Sequence, residues 1–459
     1  MTEKTALLEK NDNKDKKQII IAGGGPCGAI SACYLSQKGY KCDIFEARND
    51  IRIDKNAGGR SINLSLSERG RAALRGVGLE QEIINIGTKM TARMIHQNTP
   101  TGDCFEIPYG TNPDEHYLLS VNRLLLNKKL LSLAEKFNNV DIHFQEKVTN
   151  VDFAKGVLHT QNKVSGKEDS IKGDLIIGAD GLWSQVRKSM MRASEVCYSQ
   201  TFISHHYKEL VMEANPNNEY RMKKGYLHIW PRGEFMMIGL ANLDGSFTMT
   251  LFMPKVTFAT IKTPDDVIDF FKKYFPDSIP LFGEQYLRDT YFDYGSLPLC
   301  YIKTDPYFIG TNGVLVGDSA HAIVPFYGQG LNAGLEDVLL LNNEIDKADG
   351  NFSTAIKNYS DNRVIHGHAI ADMAVYNYWV MRDGVNSRWF RFKKSVQMNL
   401  SKLFPKSIQP LYTLVSFSLV PYHDAWTQHL RQEKMIVWAL VVVIGVVLVG
   451  VILGLSMAL

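Results

Sequence analysis

A glycine turn wedged between two apolar strands constrains this chain more than any other stretch. Ile19, Ile20, Ile21 and Ala22 read as a buried strand, and Gly23, Gly25 and Gly28 follow at G-x-G-x-x-G spacing. Residues 29–37 then read as a helix, and a second apolar strand, 42–45, ends at Glu46. Each position answers a physical need of a bound dinucleotide. Gly23 permits a tight turn, Gly25 lets backbone approach a pyrophosphate, and Gly28 allows close packing of helix on strand. The helix N-terminus offers unpaired N–H groups and a positive dipole end to the phosphates. Glu46 stands where a carboxylate accepts from a ribose hydroxyl.

Two later strands repeat the theme. Residues 174–178 are apolar after Asp174 and run into Asp180 and Gly181, with a helix expected over 183–191. Residues 313–316 are apolar and run into Gly317 and Asp318, followed by a glycine-rich stretch, 325–334, and a helix over 335–342. Such a stretch can set another helix N-terminus against negative charge. The loop 56–67, which holds Gly58, Gly59, Ser61 and Ser65, either lies along a cofactor or is an ordinary connection. Ser67 is the expected cap of the helix that follows. A helix over 123–136, capped by Asn122, starts with Arg123. A cation there is unusual, because the positive dipole end disfavours it; a nearby phosphate explains it, and so does a salt bridge.

Between 201 and 294 the pattern changes to aromatic, alternating runs, which predicts a separate antiparallel sheet with one helix, 265–274, packed on it. From 351 to 429 the chain reads as largely helical, with Asn377, Arg382 and Arg388 among aromatics. A net charge of +3 and the lack of a basic stripe exclude nucleic acid as a partner. Six scattered cysteines without a C-x-x-C pair give neither a metal set nor a disulfide framework, and read as small buried hydrophobes. Residues 1–17 are polar and lysine-rich, the composition of a disordered leader. Residues 435–459 hold no charge, enough to span a hydrocarbon core of ~30 Å. Arg431 and Lys434 precede that run, so the positive-inside rule keeps the body of the chain in the cytosol. Gly450 and Gly454 add a small-xxx-small pair compatible with weak self-association in the membrane.

The three glycine–acid strands in this order resemble the single-component flavoprotein aromatic hydroxylases. Gly59-Arg60-Ser61-Ile62-Asn63-Leu64, Arg93-Met94-Ile95-His96, Ile107-Pro108-Tyr109-Gly110 and His228-Ile229-Trp230-Pro231-Arg232 narrow the likeness to the branch that acts on kynurenine. So do Gly317-Asp318 through Asn332, Tyr376-Asn377-Tyr378 and Pro410-Leu411-Tyr412-Thr413. Ser319 and Cys27 are minor departures.

The resemblance implies an α/β fold. A Rossmann-like FAD-binding domain (18–90, 105–200, 295–345) is interleaved with an antiparallel substrate sheet (91–104, 201–294). A helical region (346–433) closes the substrate site and a transmembrane anchor (434–459) ends the chain. The reactants implied are FAD, NADPH and O2, with L-kynurenine hydroxylated ortho to its amine after oxygen is activated at the flavin C4a. The cofactor set implied is Gly23, Gly25, Cys27, Gly28, Phe45, Glu46, Ala47, Arg48, Ser65, Arg123, Asp180, Asp318, Gly330, Leu331 and Asn332. The substrate set is Arg93, Tyr109, Asn377 and Tyr412; Arg93 offers a bidentate fork to a carboxylate. No metal and no side-chain acid or base is expected, nor a separate NADPH domain, since only one fingerprint is present. A mitochondrial outer membrane is the implied location, with the endoplasmic reticulum as the other option. The rival readings are a flavin hydroxylase of a quinone precursor or lipid, and a non-enzymatic escort protein on the same fold.

Overall fold

Three strands that end in glycine and acid lie side by side at the centre of a six-stranded sheet. The computed structural model describes residues 17–54, 63–99, 102–110, 112–382, 388–404 and 408–458. The sheet order is Phe308–Ile309, Gly313–Leu315, Leu175–Gly178, Gln18–Ala22, Lys41–Glu46, Val140–Phe144. The pairings among the last five are parallel, with Ile19 against Leu175 and Ile176 against Gly313. Parallel strands are covered on both faces, so their sequences are continuously apolar; Ile19, Ile20 and Ile21 are all fully buried. Because the strands run in one direction, their three glycine–acid ends meet along one edge.

Most element expectations hold, with shifted starts. The first helix runs Pro26–Ser36, beginning three residues earlier than expected, because Pro26 occupies its first turn where no N–H is needed. The helix expected at 335–342 runs Gly330–Lys347, so the glycine-rich stretch is its first turn as well as its approach. Asn122 caps the helix Arg123–Ala134 by accepting from Leu125 N at 3.0 Å. Two short strands, Thr88–Met90 and Ala92–His96, follow one another but lie in different sheets.

The second large sheet has seven strands in the order Leu297–Asp305, Cys197–Met212, Phe247–Pro254, Phe235–Ala241, Tyr226–Arg232, Ala92–His96, Cys104–Pro108. It is antiparallel except where Tyr226–Arg232 pairs in parallel with Ala92–His96. Leu297–Asp305, Cys104–Pro108 and the start of Cys197–Met212 therefore pair into this sheet, although the sequence reading gave those residues to the nucleotide domain. Strands alternate their faces. Phe235, Met237 and Ala241 pack with the helix Pro264–Tyr274, whose Val267, Ile268 and Phe271 are buried. A capping box between Thr263 and Asp266 starts that helix. Met236 and Leu240 face the other way, against Tyr109, Phe326, Tyr327 and the C-terminal helices.

Long helices close the molecule: Phe352–Arg382, Arg388–Leu403, Leu411–Ser416 and Tyr422–Ala458. Among the described residues no helix is long and apolar enough to cross a membrane, so the expected transmembrane span finds no support there. The leader, 1–16, and most of the 56–67 loop, including Gly58, Gly59, Arg60 and Ser61, lie outside the described residues. Cys104 and Cys197 are exposed, which corrects their reading as buried hydrophobes: each begins a strand at the rim of the second sheet.

Candidate functional site

The meeting edge of the first sheet opens into a cavity of about 710 Å³. Its floor is the turn from Gly23 to Gly28. Gly23 adopts φ +104°, and a side chain there would lie 2.4 Å from Ala179 O. A Cβ on Gly28 would fall 1.9 Å from Gly23 O, while one on Gly25 would meet nothing within 4 Å. These are the three roles the spacing predicts: turn, close packing, and open space for a ligand above the helix N-terminus. Gly28→Ala should therefore force the helix off the strand and cost about 1–3 kcal/mol of overpacking. Bound flavin per chain and the thermal midpoint would both drop; a fully flavinated, equally stable variant would refute the packing role.

Glu46 ends its strand against this turn. Its carboxylate accepts from Gly24 N at 2.8 Å and from Arg48 Nε at 2.8 Å. Burial opposes the charge, but the hydrogen bonds from Arg48 and Gly24 hold the carboxyl below its ordinary pKa. Arg123 also lines the cavity and has no ion pair among the described residues. Of the two explanations for a cation at that helix start, the salt bridge is thus absent there and the anion remains. Asp318, in the first turn of the short helix Asp318–His321, lines the cavity too.

All the predicted cofactor residues line this one cavity except Gly28 and Asn332. Gly28 acts from behind, as its spacing requires. Asn332 is fully buried, and its side chain is spent on backbone. It accepts from Ser67 N and donates to Ser65 O and Gly328 O, each at 2.7 Å. It clamps the first turn of helix Gly330–Lys347 to the neighbouring strand Asn63–Leu66, so its side chain faces away from the cavity. Asp180 lines the cavity, but its carboxylate also caps a helix, accepting from Gln185 N at 2.6 Å.

At the other end the lining turns apolar, with Ile238, Leu240 and Phe252 from the seven-stranded sheet and Ile323 and Pro325 from the loop opposite. The four predicted substrate residues do not line the cavity; Tyr109 and Tyr412 belong to the apolar cluster that this wall is part of, and Arg93 and Asn377 contact members of it. The Arg93 guanidinium sits 4.0 Å from the Tyr412 ring centroid and 5.8 Å from that of Tyr109. The two tyrosine rings stack at 5.5 Å, and Tyr327 stacks on Tyr412 at 5.6 Å. Arg93 Nε and the Tyr109 hydroxyl are buried without a well-formed hydrogen bond. Among the described residues no carboxylate pairs with Arg93. A buried donor left so is costly, and an incoming carboxylate satisfies it. Asn377 is the exception in the set: its Nδ2 donates to Phe326 O at 2.8 Å and so holds the loop rather than open space.

Two features escaped the sequence reading. Tyr327 completes the aromatic cage around Arg93; its signal was its place in the glycine-rich stretch already singled out. The other is a buried charge network with no local signal at all. Glu336 takes Arg69 at 2.6 Å and Arg363 at 2.8 Å; Asp337 takes Arg363 at 2.7 Å, His321 at 2.6 Å and Gly317 N at 2.7 Å. It ties the third glycine–acid strand end to the helical region.

The geometry suits a flat, phosphate-bearing cofactor beside a small anionic aromatic, and comparison with known proteins agrees. The family model described as FAD binding domain matches residues 16–374. A kynurenine 3-monooxygenase of Sus scrofa is 43% identical over 425 residues, 93% of this chain and 89% of that protein. One of Caenorhabditis elegans is 41% identical, over 91% of this chain and 93% of that one. The tetrameric form of 2-methyl-3-hydroxypyridine-5-carboxylic acid oxygenase superposes with a TM-score of 0.66 at 17% identity, covering 81% of this chain and 94% of that one. A glycine turn shaped for a dinucleotide, a family model matched over most of the chain and relatives aligned over nearly their whole length place this chain in the kynurenine 3-monooxygenase family, on the FAD-binding monooxygenase fold.

Proposed function

We propose that this protein hydroxylates L-kynurenine to 3-hydroxy-L-kynurenine with NADPH and O2, using FAD. The observation that carries the reading is Arg93: a half-buried guanidinium with a buried Nε, in a tyrosine cage and with no carboxylate partner among the described residues. The residues present fit FAD. The open face of Gly25 and the N-terminus of helix Pro26–Ser36 would hold its pyrophosphate, with Arg123 as counter-charge. Glu46 would hold its ribose, and Gly330 and Leu331 would border its ring. When bound, FAD supplies the hydride acceptor for NADPH and the site of O2 activation.

The chain's own part is to bind, orient and exclude water. Arg93 pairs with the kynurenine carboxylate through its planar fork. The hydroxyls of Tyr109 and Tyr412 are at hand for the remaining polar atoms, and Asn377 fixes the Phe326 loop. The wall of Ile238, Leu240 and Phe252 keeps the reacting ring dry. No general acid or base is required, since the substrate's amine already enriches its ortho carbon. A lipid substrate is disfavoured by the same caged cation.

We also propose that residues 435–459 anchor the chain in a membrane with its body on the cytosolic side, in keeping with a mitochondrial outer-membrane location. Support comes from their lack of charge, from Arg431 and Lys434 before them, and from exposed Met435, Val437, Trp438, Val441 and Val442. A reporter fused to residues 430–459 should sediment with membranes, and a soluble reporter would overturn the anchor. For the reaction, purified FAD-loaded protein should oxidise NADPH faster when L-kynurenine is added and yield 3-hydroxykynurenine. Oxidation indifferent to kynurenine, with flavin bound, would refute the substrate.

A further inference from the structure

The C-terminal helix reaches the cofactor turn through one hydroxyl. Tyr422, in the first turn of helix Tyr422–Ala458, is fully buried and bonds Gln329 Oε1 at 2.9 Å. Gln329 is the N-cap of helix Gly330–Lys347, whose first residues, Gly330 and Leu331, line the cavity. Two guanidinium groups pack on the Tyr422 ring, Arg69 at 4.0 Å and Arg363 at 5.4 Å. Glu336 pairs with both cations, and Asp337 pairs with Arg363 as well. Arg69 also donates to Val415 O at 2.9 Å and to Val420 O, so it fixes the segment that leads into Tyr422.

Among the described residues the hydroxyl proton goes to Gln329 Oε1, and that orients the amide. Its Nε2 is then turned the other way, buried and without a hydrogen-bond partner. Such a donor costs free energy unless something accepts from it. We infer that Tyr422 is a positioning residue for the cofactor turn: its hydroxyl orients the Gln329 amide and so fixes the start of the helix whose Gly330 and Leu331 line the cavity. This rests on the proposed flavin hydroxylation. A turn held loosely admits water beside the reacting oxygen, so the tether governs how much NADPH oxidation ends in hydroxylated product and how much in hydrogen peroxide.

The test is Tyr422→Phe in the full-length holoenzyme, which keeps the ring against its two arginines. The fraction of NADPH oxidation recovered as 3-hydroxykynurenine should fall about two- to ten-fold, the range that one neutral hydrogen bond spans, with peroxide making up the balance. Flavin content should be preserved, and backbone amides 328–332 should exchange hydrogen faster. The double variant Tyr422→Phe/Gln329→Ala should be no worse than Gln329→Ala alone, because the tyrosine acts through the glutamine. Coupling and exchange equal to the parent's, or losses that add in the double variant, would overturn the tether. A parent enzyme that makes no 3-hydroxykynurenine would instead remove the functional reading beneath it.

Discussion

Asp337→Ala should destabilise the fold by about 3–5 kcal/mol, the loss typical of removing one partner of a buried ion pair. Asp337 is fully buried and serves three donors at once: Arg363, His321 and the Gly317 N–H. Alanine leaves Arg363 leaning on Glu336 alone and orphans a backbone N–H at the end of the third glycine–acid strand. Burial raises the Asp337 carboxyl, but His321 and Arg363 outweigh it, and the folded pKa lies below the ordinary value. The linkage sign follows. A depressed carboxyl contributes stability above its unfolded pKa, about 3.9, and loses it as pH falls through the lower folded value. The gap between parent and variant should thus be widest near neutrality and narrow in strong acid. Denaturant unfolding at two pH values measures it; a gap under about 1 kcal/mol at pH 7 would mean that the network is not stabilising.

Arg93→Ala should raise the KM for kynurenine roughly ten- to a hundred-fold, the equivalent of the 1.5–3 kcal/mol typical of a hydrogen bond to a charged group. Flavin should stay bound, since Arg93 does not line the cofactor cavity. The variant should be no less stable without substrate, because Nε is buried and unsatisfied in the parent. Arg93→Lys should recover part of the binding only, as an ammonium keeps the charge but not the planar fork. A variant that lost flavin while keeping its KM would move Arg93 to the cofactor site.

What the sequence showed was what chemistry writes locally. The glycine spacing at 23, 25 and 28, the acid at 46 and the cap at Asn122 each act within a few residues of themselves, and each was legible. Helix starts slipped because Pro26 and Gly330 read as punctuation before a helix when they are its first turn. The boundary between the two large sheets was misplaced for a different reason. Strands 104–108 and 297–305 alternate like any others, and only pairing across the chain shows which sheet takes them. Leu331 and Asn332 are neighbours in sequence, yet at its own helical phase the Asn332 side chain turns inward to Ser65 and Ser67. Arg69, Glu336 and Arg363 are ordinary helix charges in sequence; their meeting is purely tertiary.

The side-by-side placement of the three glycine–acid strands also sets a schedule for biosynthesis. Gln18 N bonds Asp174 across 156 residues, so the isoleucine strand emerges long before its neighbour exists. At roughly 5–20 residues per second, translation leaves that edge open for on the order of ten seconds. The contact from Arg69 to Val420 spans 351 residues and forms near the end of synthesis. A nascent chain of this design exposes a bare, isoleucine-rich strand edge for about a third of its synthesis, a template for wrong pairing, and its buried charge network closes only as its last residues arrive.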